Sequence, residues 1–137
     1  MDWYSRKILS FKISNTMDEW MCVEALELAI KKYGVPEIMH TDRGRQFMGR
    51  RFQGILEEAG VRISVGEGGY KDNILIERLF RSYKWECVYL RDRVNLKELK
   101  GITKEWVKYY NKERPHQSLG YKVPDDVYYG EIVEKAS

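Results

Sequence analysis

Two acidic residues stand where carboxylates could hold a divalent metal and act on phosphate esters, Asp42 and Glu77. Asp42 follows the apolar run 35–39 and opens Thr41-Asp42-Arg43-Gly44-Arg45-Gln46-Phe47. That order predicts a buried strand ending near His40 with a carboxylate just past its end, where open α/β sheets present their ligands. Glu77 lies between Asp72 and Trp85, where Leu75, Ile76, Leu79, Phe80 and Tyr83 recur at helical spacing behind Asp72 as N-cap. Glu77, Arg81 and Lys84 then fall at i, i+4 and i+7, so one acid and two cations share a helix face. Each residue also has a plainer reading. Glu77 with Arg81 is an ordinary surface ion pair worth about 0.2–0.5 kcal/mol, Asp42 before Arg43-Gly44 is a common turn, and Arg50-Arg51 is a solvated face. His116, a loop histidine beside a proline, reads as a hydrogen-bonding residue rather than a general base.

The elements that must position these residues follow one another along the chain. Ile8 to Ile13 reads as an exposed edge strand. Thr16 and Glu19 form a capping box that opens a helix through Ala25, Leu26, Ala29 and Ile30. Lys31 and Lys32, then Gly34 and Pro36, stop it, and Cys22 fits as a small buried hydrophobe. Phe52, Ile55, Leu56 and Ala59 mark a second helix ended by Gly60, and Val61, Ile63 and Val65 alternate as a strand. The glycine-rich stretch 66–69 leads to the Glu77 helix. Farther on, Asn95 and Glu98 form a second capping box before a long helix with Leu99, Ile102, Trp106, Val107 and Tyr110 on one face. Residues 111–121 read as an ordered surface loop, and Pro124 opens a short terminal helix, with fraying expected over 131–137. Trp20, Trp85 and Trp106 read as core or interface aromatics first and as base-stacking residues second.

Composition narrows the class without naming it. A chain of 137 residues with 43% hydrophobic content suits one globular domain. Its net charge of +3 against 33% charged residues is too small an excess to predict a nucleic-acid partner by itself. The distribution says more, because Arg43, Arg45, Arg50 and Arg51 crowd around Asp42 while Arg78, Arg81 and Lys84 follow Glu77. Cys22 and Cys87 are isolated and His40 and His116 are the only histidines, so neither a zinc site nor a disulfide framework is suggested. No signal peptide and no membrane-length apolar run are present, so the expectation is a cytoplasmic protein with no membrane partner.

Four pieces together carry a family resemblance: Thr41-Asp42-Arg43-Gly44-x-Gln46-Phe47, Asp72-Asn73-x-x-x-Glu77-Arg78, Ser82-x-Lys84, and Tyr110-Asn111-x-x-Arg114-Pro115-His116-Gln117-Ser118-Leu119-Gly120-Tyr121. They resemble the integrase core of IS3-type insertion-sequence transposases, in the DDE transposase and retroviral integrase superfamily. The likeness runs from Asp2-Trp3-Tyr4-Ser5-Arg6 to about Tyr128.

The resemblance implies an α/β, ribonuclease H-like fold, with an integrase core over 1–90 and a helical extension of the same domain over 91–137. It implies DNA transposition or integration by metal-dependent phosphodiester cleavage and strand transfer, with water or a DNA 3′-hydroxyl as nucleophile and no covalent enzyme intermediate. The family holds two Mg²⁺ (or Mn²⁺) ions, about 3.5–4 Å apart, on an Asp, Asp, Glu triad. Asp42 and Glu77 match the second and third positions. The first Asp belongs to a first strand upstream of Asp2, which itself matches the end of the second strand. The fold and two-ion site are therefore expected to be incomplete in this chain, lacking that strand and most of the second. Such a chain is expected to be marginally stable or self-associating, and inactive alone unless the rest of a longer protein supplies the missing strand. Asp42 and Glu77 also stand one residue closer than is usual in the family, a shortfall that the stretch 66–69 could absorb. Arg81 and Lys84, with Arg78, Arg43 and Arg45, are expected to hold DNA backbone phosphates. The expected partners are transposon-end and target DNA, other copies or full-length transposase subunits, in a prokaryotic cytoplasm at the nucleoid. A non-catalytic remnant that binds DNA or transposase subunits is the alternative.

Overall fold

The computed structural model describes residues 1–16, 18–66 and 73–136, the stretch 131–136 as helical backbone alone. The chain divides into two compact units, Ser10–Glu77 and Met1–Leu9 with Arg78–Ser137. The expected N-cap Asp72, most of the glycine-rich stretch, Met17 and Ser137 lie outside the described residues.

The Ser10–Glu77 unit is built on a β-α-β motif. Helix α1 (Glu19–Tyr33) starts at Asp18, whose carboxylate accepts from the Met21 N–H at 3.1 Å. The cap is therefore Asp18 rather than the expected Thr16. Thr16 instead donates its hydroxyl to Asp18 at 3.2 Å and braces the cap from outside the helix. At the other end Gly34, with φ of 89°, returns its N–H to Ile30, a left-handed stop that glycine adopts without steric cost.

Strand β1 (Ile38–Thr41), helix α2 (Arg50–Glu58) and strand β2 (Arg62–Val65) follow. The strands pair in parallel with Met39 opposite Ile63 and Thr41 opposite Val65. Because successive side chains alternate across a strand, Met39 and Ile63 turn to one face, where they pack on Val23, Leu26, Phe52, Leu56 and Val61. Ile38 turns the other way and is 49% exposed, so β1 is half-buried rather than the fully buried strand its apolar run suggests. Phe47 closes this core edge-to-face on Phe52, ring centroids 5.3 Å apart.

The other unit is organised by helix α4 (Leu96–Lys112), which starts at the expected Asn95 cap. Asn95 accepts from the Glu98 N–H at 2.8 Å and Glu98 accepts from the Asn95 side-chain amide at 2.8 Å, a closed reciprocal pair. Tyr83, Trp106, Tyr110 and His116 form a ladder of ring contacts with successive centroids 5.3, 5.2 and 4.9 Å apart. Ile8 is buried in this unit, yet no described residue from 8 to 13 is in a strand. The expected edge strand is replaced by one side chain. The Asn111 amide accepts from the Ile8 N–H and donates to the Ile8 carbonyl, both at 2.9 Å, taking the two backbone bonds a neighbouring strand would have made.

Helix α5 (Pro124–Ala136) opens at the expected proline but is longer than the short helix foreseen. Asp125 meets the buried Lys7 ammonium at 2.7 Å, and Tyr129 offers Lys7 both its hydroxyl at 3.0 Å and its ring face at 4.3 Å. Burying a lysine is costly unless its charge is paired and hydrogen-bonded, and these contacts supply both. Among the described residues no helix is long and apolar enough to cross a membrane.

Candidate functional site: two carboxylates and a cationic helix

Asp42 sits one residue past the end of β1. Its position is set from both sides. Thr41, 7% exposed, donates its hydroxyl to the Asp42 carbonyl at 2.9 Å. Asp42 Oδ1 then accepts from the Gly44 N–H at 2.7 Å, folding the loop into a tight turn that Phe47 anchors in the core. A Cβ at Gly44 would come within 2.7 Å of that same oxygen, which is why the turn carries glycine there. The Asp42 carboxylate stays exposed, as do Arg43 and Arg45. Burial, then the negative fields of Asp18, Asp42 and Glu19, push the Cys22 thiol up, so Cys22 is a poor nucleophile.

Glu77 lies in the first turn of helix α3 (Ile74–Tyr83), its N–H bonded to the Asn73 carbonyl at 3.0 Å and its side chain exposed. Asp42 and Glu77 both belong to the Ser10–Glu77 unit, whereas Arg78, Arg81 and Lys84 belong to the other, with α3 running across the boundary. Arg81 is one turn beyond Glu77 on the same helix, as expected. The α-helical register ends at Tyr83, however, and Lys84–Val88 is a π-helix in which the Tyr89 N–H reaches back to the Lys84 carbonyl at 2.8 Å. The single α-helical face foreseen through Lys84 is therefore corrected, since Lys84 opens a wider turn. Arg78, Arg81 and Lys84 are all exposed.

Asp2 is occupied otherwise. Its Oδ2 accepts from the Ser5 N–H at 3.0 Å and from the Ser5 hydroxyl at 2.6 Å, while the Asp2 backbone binds Arg6 and Lys7. This carboxylate closes the turn that holds Arg6 at φ of 66°. Among the described residues no group of three or more acidic, histidine or cysteine side chains converges as a ready metal cage. Asp42 and Glu77 are still suitable donors for Mg²⁺, which takes one or two carboxylates and keeps several waters.

Three arrangements were not foreseen from the residues. Glu19 Oε1 accepts from the N–H groups of Arg51 and Phe52 at 2.9 and 3.0 Å, capping α2 where Gly49 has no side chain to do so. Glu19 also lines an open cleft of 510 Å³ with Asp18, Arg45, Gln46, Met48 and Gly49. Arg114 forks onto Glu86, and Trp85 with Tyr89 stands exposed. Only the Glu86 to Arg114 pair had a signal, an arginine inside a motif otherwise read as a loop.

The sequence matches an integrase core domain family over residues 1–71 and a second integrase core domain family over residues 59–124. It is 34% identical over 117 residues to the InsK protein of insertion sequence element IS150 of Escherichia coli K12, covering 83% of this chain and 41% of that one. It is 27% identical over 129 residues to the transposase InsF of insertion sequence IS3A from the same bacterium, covering 91% of this chain and 45% of that one. The chain thus spans less than half the length of these two relatives. In three dimensions it is similar to the HTLV-2 integrase catalytic core solved with magnesium in a trimeric form. The TM-score is 0.62 at 18% identity, over 92% of this chain and 79% of that one, a likeness that shows the fold. The fold is ribonuclease H-like, and the chain belongs to the integrase core domain family as a core of the IS3-type insertion-sequence transposases.

Proposed function

We propose that this chain contributes Asp42 and Glu77 to a metal-dependent centre that cuts and joins DNA phosphodiesters in transposition. The observation that carries the reading is the occurrence, inside an integrase-core sequence, of one exposed carboxylate just past the end of β1 and another in the first turn of α3. Mg²⁺ or Mn²⁺ held there would lower the barrier by stabilising charge on the attacking and leaving oxygens. The turn closed by Gly44 orients Asp42 through one oxygen. The helical backbone of α3 holds Glu77. Arg78, Arg81 and Lys84 follow Glu77 along the chain, and Arg43 and Arg45 follow Asp42. All five are solvated cations suited to DNA phosphates, and such contacts position DNA without reading its sequence. Transposon ends, target DNA and further transposase subunits are the partners this reading implies.

The test is divalent-ion-dependent nicking and strand transfer on DNA carrying the element's ends. It compares this chain, the chain extended upstream to its relatives' length, and Asp42→Asn and Glu77→Gln in each. Calorimetric Mn²⁺ titration runs alongside. Activity in either form that both substitutions abolish, with weaker Mn²⁺ binding, is the expected result. Mn²⁺ binding untouched by both substitutions, together with silence in every form, leaves a DNA- or subunit-binding role and removes the catalytic one.

A further inference from the structure

Trp85 is 64% exposed and Tyr89 59% exposed, and the two rings meet edge to face with centroids 5.1 Å apart. In such a pair the ring that contributes its edge keeps both faces clear of its partner. Other aromatics are exposed as well, Trp20 and Tyr121 among them; Trp85 and Tyr89 differ in meeting as a pair at a π-helical turn among exposed cations.

The backbone under them is pinned from within. Trp85 lies in the π-helical turn that follows α3 and Tyr89 is the residue that ends it, and such turns are rare and frequent at functional sites. Between them Cys87 is 3% exposed and Glu86 is gripped by Arg114 at 2.8–3.1 Å. Just before them the Tyr83 hydroxyl is 2.6 Å from that of Thr103. The pair is therefore presented on an ordered surface, which reduces what a ligand must spend on immobilising it.

Its neighbours are cations. Lys84 precedes Trp85 and Arg91 stands two residues after Tyr89, both exposed. Arg93 is exposed as well, and Leu90 adds 74%-exposed apolar surface; the acids of this segment are Asp92, which is exposed, and Glu86, whose charge Arg114 pairs. Aromatics and arginine are also enriched at protein–protein interfaces, but lysine and aspartate are depleted there, so Lys84 and Asp92 are the residues of this patch that a protein partner would disfavour. Aromatic faces interleaved with cations are instead what single-stranded nucleic acid requires, bases on the rings and phosphates on the charges.

We propose that the Trp85–Tyr89 pair is a stacking platform for unpaired bases of DNA, with Lys84 and Arg91 holding the adjoining phosphates. The proposal rests on the reading that this chain acts on DNA and adds that it engages DNA whose ends or target are locally unpaired.

The test is fluorescence anisotropy of the full chain with a labelled 20-nucleotide oligo-dT strand and a duplex of equal length, across a salt series. Wild type is compared with Trp85→Ala, Trp85→Phe and Lys84→Gln, with circular dichroism as the check on folding. Trp85→Ala is expected to weaken single-strand binding roughly tenfold while leaving the duplex within about twofold, and Trp85→Phe to retain most of the affinity. Lys84→Gln is expected to lower the salt slope on both. Equal losses on both DNAs with Trp85→Ala, or none on either, overturn the stacking role while sparing the wider DNA reading. Sedimentation showing self-association abolished by Trp85→Ala, with single-strand affinity intact, gives the patch to a second copy and also overturns it. Wild type that is folded by circular dichroism and binds neither DNA removes both readings.

Discussion

Arg114 holds Glu86 through a fork, its Nε 2.9 and 3.1 Å from the two carboxylate oxygens and its Nη2 2.8 Å from Oε2. The hydrogen bonding that Arg114 donates to Glu86 leads the effects that raise the Arg114 pKa, and the guanidinium also lies 5.6 Å from the Tyr110 ring centroid. A residue from the loop after α4 thus clamps the π-helical turn that opens at Lys84.

Arg114→Lys cannot reproduce that fork, because an ammonium is a point charge without the planar donor pair. The substitution is expected to lower stability by about 1–2 kcal/mol, read by urea denaturation. A double-mutant cycle with Glu86→Gln is expected to show strong coupling. Additive losses would mean the two residues act separately.

Gly49 is bare because its neighbour needs the space. A Cβ there would lie 2.3–2.4 Å from the Glu19 carboxylate that caps α2. Gly49→Ala is expected to push that carboxylate off the Arg51 and Phe52 N–H groups, at a cost of about 1 kcal/mol. Glu19→Ala should cost a similar amount, and the double substitution little more than either, since both remove one cap. A thermal melt of the three variants checks this, and full additivity would contradict it.

Asn111→Leu is expected to cost about 2–4 kcal/mol, because it leaves the buried N–H and C=O of Ile8 without partners. Asn111→Asp keeps only the acceptor and should not rescue. Hydrogen exchange at the Ile8 amide gives a local readout, and its protection should fall further in Asn111→Leu, which removes the acceptor, than in Asn111→Asp, which keeps it.

His116 makes the fold sensitive to acid. Burial first, then Arg114 and Arg6, hold its pKa below the ordinary value, with Glu86 opposing in part. The unfolded chain therefore takes up this proton at higher pH than the folded one does. Stability is unaffected by His116 above about pH 6.5 and declines as pH falls from there to the lowered folded value. Urea midpoints from pH 7.5 to 5.5 should decline less steeply in His116→Gln. Equal slopes would rule out His116 as the source.

Local signals along the chain determined a good deal. Asn95 with Glu98, Gly34 after two lysines, and Pro124 each marked a helix end through chemistry that acts within a few residues, so their bonds did not depend on the rest of the fold. The alternation around Ile63 likewise gave β2, and the motifs around Asp42 and Glu77 named the family. Their roles at a metal centre are proposed, and the Asp42→Asn and Glu77→Gln variants are their test.

What only the tertiary structure decided were pairings distant in sequence. Ile8 read as a strand residue because its apolar neighbours suit one, but the partner that met its backbone was the side chain of Asn111. Glu19, the capping-box acid, was drawn to the bare N-terminus of α2. Neither the π-turn at Lys84 nor the grip of Arg114 on Glu86 could be read from periodicity. A π-turn changes the period itself, and a contact across 28 positions depends on how the elements pack. Short-range hydrogen bonding is written in neighbouring residues, whereas which buried polar group finds which partner is settled only when the chain closes on itself.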